Sequence, residues 1–175
     1  MTVTSELEQT KGFLRGIPIF GGLDDGGLER LIRMMEQQSF GVGAVVSKQG
    51  ESGRSMYIVR AGELIVKRQV FGGPIRVVRI KPGDFFGETT LIEIHPMSAS
   101  VVVEKPATLY RLTNKDLYRL YQEDVPSYVM VIMNLARELS RRLRKAEQRI
   151  CEMAEEIGEG DTTQIKDRGD DGRLR

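Results

Sequence analysis

The stretch at residues 86–101, FGETTLIEIHPMSASV, restricts the fold more than any other part of the chain. A turn, Lys81-Pro82-Gly83-Asp84, leads into it, and a β-rich run at 100–103 leads out. Gly87 frees the backbone for close approach to another segment. Glu88, Thr89 and Thr90 read as the first turn of a short helix, where unpaired N–H groups favour an anion.

The remainder supplies strands for this stretch to join. From Gln37 the apolar period changes to two. Phe40, Val42 and Val45-Val46 lead to a Gly50-Glu51-Ser52-Gly53 turn. Tyr57, Ile58 and Val59 form a strand ending at Ala61-Gly62, a two-residue hairpin signal, and residues 63–70 return. A Phe71-Gly72-Gly73-Pro74 turn opens the alternation at 75–80. Later come strands at 100–104 and 108–112 with a Lys105-Pro106 turn between them. Short strands joined by glycine turns predict a mainly β fold with flanking α: an antiparallel β-roll, or double-stranded jelly-roll barrel. Ahead of it stand a short helix at 5–14 and a second helix, capped by Asp24, that runs to Met35.

The length and landmarks of residues 86–101 resemble the phosphate-binding cassette of the cyclic-nucleotide-binding superfamily, which includes catabolite activator proteins and protein kinase A regulatory subunits. Gly62, Pro82-Gly83-Asp84 and the segment LRGIPIFGGL strengthen the resemblance, which runs from Leu14 to roughly Leu135. It implies a ligand site at Gly87, Glu88, Thr89, Met97, Ser98 and Ala99. In the family, helix-start N–H groups and one arginine hold a cyclic phosphate, and a glutamate accepts from the ribose 2′-hydroxyl. Gly87 and Glu88 match the backbone and ribose roles, and Ser98 and Ala99 match the positions after the arginine. At the arginine's own position stands Met97, which cannot pair a phosphate.

Loss of one partner from a buried charged hydrogen bond costs about 2–5 kcal/mol. That is roughly thirtyfold to several thousandfold in affinity. The resemblance therefore implies either a cyclic nucleotide that binds weakly or in an altered way, or a silent pocket. Arg54, Arg76, Arg79 and Lys81 lie on nearby strands or turns, and Arg79 and His95 are the first candidates for a substitute cation. A histidine in a polar, Pro-flanked loop also reads as plain surface. In the activator branch a threonine on the long helix reaches the adenine ring, and the matching position here is Ala146.

Asp124-Val125-Pro126 opens a long helix, with proline near its first turn. Ile132, Leu139, Ala146 and Met153 are seven apart, and Ala136, Leu143, Ile150 and Ile157 interleave with them. This heptad seam predicts a dimerisation helix at 125–157 and a parallel homodimer. The other reading packs the helix on its own barrel, which Val129, Met133 and Leu135 support near the start. Arg137, Arg141, Arg142, Arg144, Lys145 and Arg149 form a basic run that could touch nucleic acid or an acidic partner; the preferred reading is a solvated coiled-coil face. Residues 158–175 are polar and read as a disordered tail. The expected division is thus 1–124, 125–157 and 158–175. The family's transcription-factor branch needs a helix-turn-helix after the long helix. The polar tail cannot build one, so no specific DNA binding is expected.

Hydrophobic residues make up 40% of the 175-residue chain and charged residues 29%, with a net charge of +1, which argues neither for nor against nucleic acid at the level of the whole chain. A single cysteine, Cys151, excludes an intramolecular disulfide and favours a reducing, cytoplasmic setting. No secretory signal is expected, and no apolar run approaches the ~20 residues of a membrane span. One histidine and one cysteine do not make a usual metal site. No nucleophile–base pair, Walker loop or GxGxxG is present, so no catalytic residue and no cofactor is expected. Two readings remain. One is a dimeric ligand sensor or adapter that signals to a separate, unidentified protein effector. The other is a ligand-silent dimeric scaffold of the same fold.

Overall fold

The computed structural model of the chain describes residues 3–93 and 95–157. Their contacts divide them into two units that meet in sequence at Leu135 and Ala136. The tail expected at 158–175 lies outside the described residues.

The first unit begins with α1 (Val3–Arg15), a 3-10 turn at Pro18–Phe20 and α2 (Asp25–Met34). Asp24 caps α2 by accepting from the Gly27 amide at 2.7 Å. Six strands follow: β1 (Glu36–Phe40), β2 (Val45–Ser47), β3 (Ser55–Val70), β4 (Gly73–Ile80), β5 (Phe85–Phe86) and β6 (Ser100–Thr113). The short helix α3 (Glu88–Ile92) separates β5 from β6, and α4 (Asn114–Glu123) follows β6. All pairings are antiparallel, in the order β1-β6-β3-β4, with β2 also on β6 and β5 on β3. This is the expected β-roll with flanking helices.

Two turns expected from the sequence are not turns. Ala61-Gly62 does not reverse the chain, because β3 is one strand of 16 residues. Lys105-Pro106 lies inside β6, one strand of 14 residues. The two sites face each other where the β3–β6 register shifts, between Val59 and Leu64. Gly62 has φ +90°, and a Cβ there would lie 2.3 Å from the Pro106 carbonyl oxygen. Glycine and proline are needed here to bend two long strands together, and such bulges carry the same residues as turns.

Alternation along β3 and β6 sends side chains to two cores. Met56, Ile58, Tyr110 and Leu112 face the helices, where they meet Leu14, Phe20, Leu28, Leu31, Leu120, Val131 and Leu135. Val59, Leu64, Val103, Ala107 and Leu109 belong to the roll interior, with Ile80 and Phe86. At the end of the β3–β6 ladder Ser55 pairs with Thr113. Thr113 is also the N-cap of α4, in a capping box with Asp116.

The last helix, α5 (Val125–Ile157), begins inside the first unit, which extends past the boundary expected at 124 to Leu135. Val131 and Leu135 are fully buried, and Asn134 donates to the Gly21 carbonyl at 2.8 Å. A Cβ on Gly27 would come 2.3 Å from Ser127 Oγ, so α2 and the start of α5 meet closely because residue 27 has no side chain. Asp124 fixes this start. It accepts from the Ser127 amide at 3.1 Å and hydroxyl at 2.8 Å, and pairs with Arg30 at 2.6 Å. Burial opposes its charge, but the two Ser127 bonds and Arg30 outweigh burial and hold its carboxyl below the ordinary value.

Asp124→Ala is expected to cost about 1–2 kcal/mol in chemical denaturation, in the upper range of a lost N-cap. A depressed carboxyl contributes stability above its unfolded pKa and loses it as pH falls through the folded one. The gap between wild type and variant should therefore be full above the ordinary 3.8 and close below it. Equal stability of the two proteins at neutral pH would refute the capping role.

The second unit, as described, is the remainder of α5 from Ala136 onward. Leu143, Ile150 and Met153 are 61%, 60% and 59% exposed on it. No described helix is long and apolar enough to cross a membrane.

Candidate ligand cavity

The turn at residues 81–84 sets up the site. The Lys81 amide donates to Asp84 Oδ2 at 2.9 Å, and Val59 and the turn exchange backbone bonds of 2.9 Å each through Gly83 and Asp84. This lays Phe85 and Phe86 on Ile58 and Tyr57. Gly87 then takes φ +81°, with an added Cβ only 2.6 Å from the Ser55 carbonyl oxygen. Only glycine fits both the angle and the contact. Glu88 is buried behind it, and Thr90 donates to the Gly87 carbonyl at 2.9 Å. Thr89 and Ser98 are exposed, and Ala99 is half-buried.

The far arm of the loop is tied to the turn between β2 and β3. Met97 N donates to the Glu51 carbonyl and Met97 O accepts from Gly50 N, both at 2.9 Å, and Ser52 bridges Pro96. The Met97 side chain packs over Gly53: a Cβ there would lie 2.9 Å from its sulfur and 2.8 Å from Thr90 Oγ1. Beside Met97 opens a cavity of about 320 Å³. Val46, Tyr57 and Met97 give it apolar wall, and Lys48, Arg54 and Arg111 give it positive charge, with Glu51 as its carboxylate. Tyr57 stacks on Phe86 at 5.2 Å. Arg111 donates to Ser55 Oγ at 3.1 Å and to Glu36 at 3.2 Å. Gln38 and then Arg111 hold the Glu36 carboxyl below its ordinary value. Ser47, also on the lining, has a buried hydroxyl with no hydrogen-bond partner among the described residues.

The cyclic nucleotide-binding domain family matches residues 37–124, half of the chain and all but the first residue of the roll just described. The chain belongs to this family.

Relatives of this cyclic nucleotide-binding domain agree with the match. The cyclic AMP receptor protein of Thermus thermophilus is 30% identical over 135 residues, covering 77% of this chain and 61% of that protein. A cAMP-dependent protein kinase regulatory subunit of Hypocrea atroviridis is 31% identical over 110 residues, covering 63% of this chain and 23% of that protein. The chain thus spans less than two thirds of either relative. Among solved structures, the catabolite activator protein of Thermus thermophilus superposes with a TM-score of 0.71 at 28% identity, covering 78% of this chain and 63% of that one. A cyclic nucleotide-binding domain from Methylobacillus flagellatus shares the fold, with a TM-score of 0.75 at 22% identity, over 85% of this chain and 84% of that one.

The cyclic nucleotide-binding domain places neither candidate substitute cation on the cavity. Arg79 is exposed and pairs with Glu104 at 3.1 Å and Glu63 at 3.9 Å. Glu63 in turn is drawn below its ordinary pKa first by Lys105. His95 is exposed, with Nδ1 2.8 Å from the Pro96 carbonyl oxygen. The cations on the lining come instead from the β2–β3 turn and from β6. Sequence reading missed Lys48 and Arg111. Arg111 had a usable signal, because it shares strand parity with the inward Ala107 and Leu109.

The seam residues divide between the two units. Ile132 packs against the helix-side core of its own barrel. Ala136, Leu143, Ala146, Ile150 and Met153 are exposed, Leu139 is half-buried, and the Ile157 side chain lies outside what is described. Arg141 and Arg142 pair with Glu138 along the helix, at 2.6 and 3.3 Å.

Proposed function

We propose that this domain is the sensing part of a regulatory protein, a homodimer in a reducing, cytoplasmic setting that passes ligand occupancy to a separate protein effector. Its cassette is atypical, with Met97 where the family carries its phosphate-binding arginine. The relatives, a cyclic AMP receptor protein and a kinase regulatory subunit, support a regulatory role rather than a catalytic one. The observation that carries the reading is the state of the cassette. Gly87 takes a tight left-handed turn and Glu88 is buried, at the positions the family uses for backbone and ribose contacts, and an open cavity adjoins Met97. DNA contact by the described residues plays no part in it.

The silent-scaffold reading draws on the packing of the Met97 side chain over Gly53, beside Thr90. A thermal-shift titration with cyclic AMP, cyclic GMP and cyclic dinucleotides separates the two. A ligand at 100 times its dissociation constant adds about 2.7 kcal/mol of stability. Cyclic AMP and cyclic GMP should shift the melting temperature only at millimolar concentrations. A flat response to every ligand up to ~10 mM, where a millimolar binder would already register, leaves the scaffold.

A further inference from the structure

We infer that the cavity beside Met97 binds a small phosphorylated anion, its charge met by Lys48 and Arg54 of the β2–β3 turn and by Arg111 of β6. This rests on the sensor reading and extends it, because it names a ligand class and the charge-bearing groups of a cavity that shares Met97 with the cassette.

Three cations converge on one hollow against a single carboxylate, Glu51. Arg111 is already paired with Glu36 and Ser55. Lys48 and Arg54 have no side-chain partner among the described residues. With Glu51 as the one carboxylate on the lining, Lys48 and Arg54 leave the hollow net positive, which attracts negative charge. A phosphate monoester carries that charge, and a guanidinium meets two of its oxygens at once.

Size and shape agree. At about 320 Å³ the cavity lies at the small end of ligand pockets. It suits a phosphorylated metabolite or a nucleoside monophosphate, with Val46, Tyr57 and Met97 against the organic part. The charge-bearing turn is also wired to the fold. Gly50 and Glu51 hold Met97 by two backbone bonds, and the Arg54 carbonyl accepts from Asn114 N, the first residue of α4, at 3.1 Å. A ligand drawn in by Lys48 and Arg54 would therefore act on the cassette and on a helix start together.

The test uses the full chain at low salt, with adenosine 5′-monophosphate and inorganic phosphate as probes and adenosine and cyclic AMP as comparators. Calorimetry should show the monophosphate binding at least about tenfold more tightly than adenosine, with affinity falling as salt rises. Lys48→Glu/Arg54→Glu should weaken it at least about tenfold while adenosine is unaffected. Both side chains are exposed, so the melting temperature should hold. If the double reversal does not fold, Arg54→Gln alone should give a smaller loss in the same direction. Monophosphate and phosphate binding no tighter than adenosine would overturn the inference, as would binding indifferent to both variants. Cyclic AMP binding that ignores Lys48 and Arg54 would overturn it while leaving the sensor reading intact. Monophosphate binding lost in the double variant, with cyclic AMP silent, would support it and remove the cyclic-nucleotide ligand.

Discussion

Calorimetry on a Met97→Arg variant is expected to show cyclic AMP and cyclic GMP binding tighter than wild type by about 2–5 kcal/mol, provided the new ion pair is desolvated. That is roughly thirtyfold to several thousandfold. The rest of the cassette supports the gain, since Gly87 keeps its left-handed turn and Glu88 stays buried. The longer side chain can leave the Gly53–Thr90 shelf and extend into the cavity of about 320 Å³. It then joins Lys48, Arg54 and Arg111 there, so the unliganded variant should melt below wild type and recover on ligand binding. Micromolar binding by the wild type would mean that the existing cavity cations already replace the arginine. An unchanged affinity in a folded variant would mean that the cassette no longer presents a cyclic-phosphate site.

The second large effect concerns assembly. Leu143 is 61% exposed on α5, in a heptad series with Ile150, itself 60% exposed. A parallel pair of such helices would bury these residues, each burial contributing about 1.5–3 kcal/mol. Leu143→Asp removes that contribution from both chains and forces two carboxylates out of water, at several kcal/mol each. Sedimentation should show a wild-type dimer and a largely monomeric variant with unchanged barrel stability. A wild type that is monomeric at high concentration would exclude the seam as an interface. A variant as dimeric as the wild type would place the interface elsewhere.

Local signals carried most of the fold. The cap at Asp24, the helix start at Asp124-Val125-Pro126, the glycine turn at Gly72-Gly73 and the period-two runs are all read within a few residues, and the chain obeys them. The reading failed where one local pattern serves two geometries. Gly62 and Pro106 look like turn residues, yet they sit opposite each other at a bend in two continuous strands. Only the pairing of β3 with β6 distinguishes the cases, and that pairing is long-range. The cassette was legible for the same reason as the turns, because it is one contiguous stretch. The cavity was not, since Lys48, Arg54 and Arg111 come from two segments far apart in the chain. Arg79 and His95, the candidates named from the sequence, are turned to Glu104 and to solvent.

The rung that joins Ser55 to Thr113 has a mechanical consequence. Ser55 lines the cavity, and Thr113 is the residue whose hydroxyl and amide cap α4. A loop between two such points would absorb a small displacement through its soft dihedrals. Here a single rung of an antiparallel ladder separates them, reinforced by the bond from Asn114 N to the Arg54 carbonyl at 3.1 Å. Paired strands shear very little without breaking bonds, so the wall of the cavity and the cap of the helix are stiffly coupled, with no compliant element in series between them.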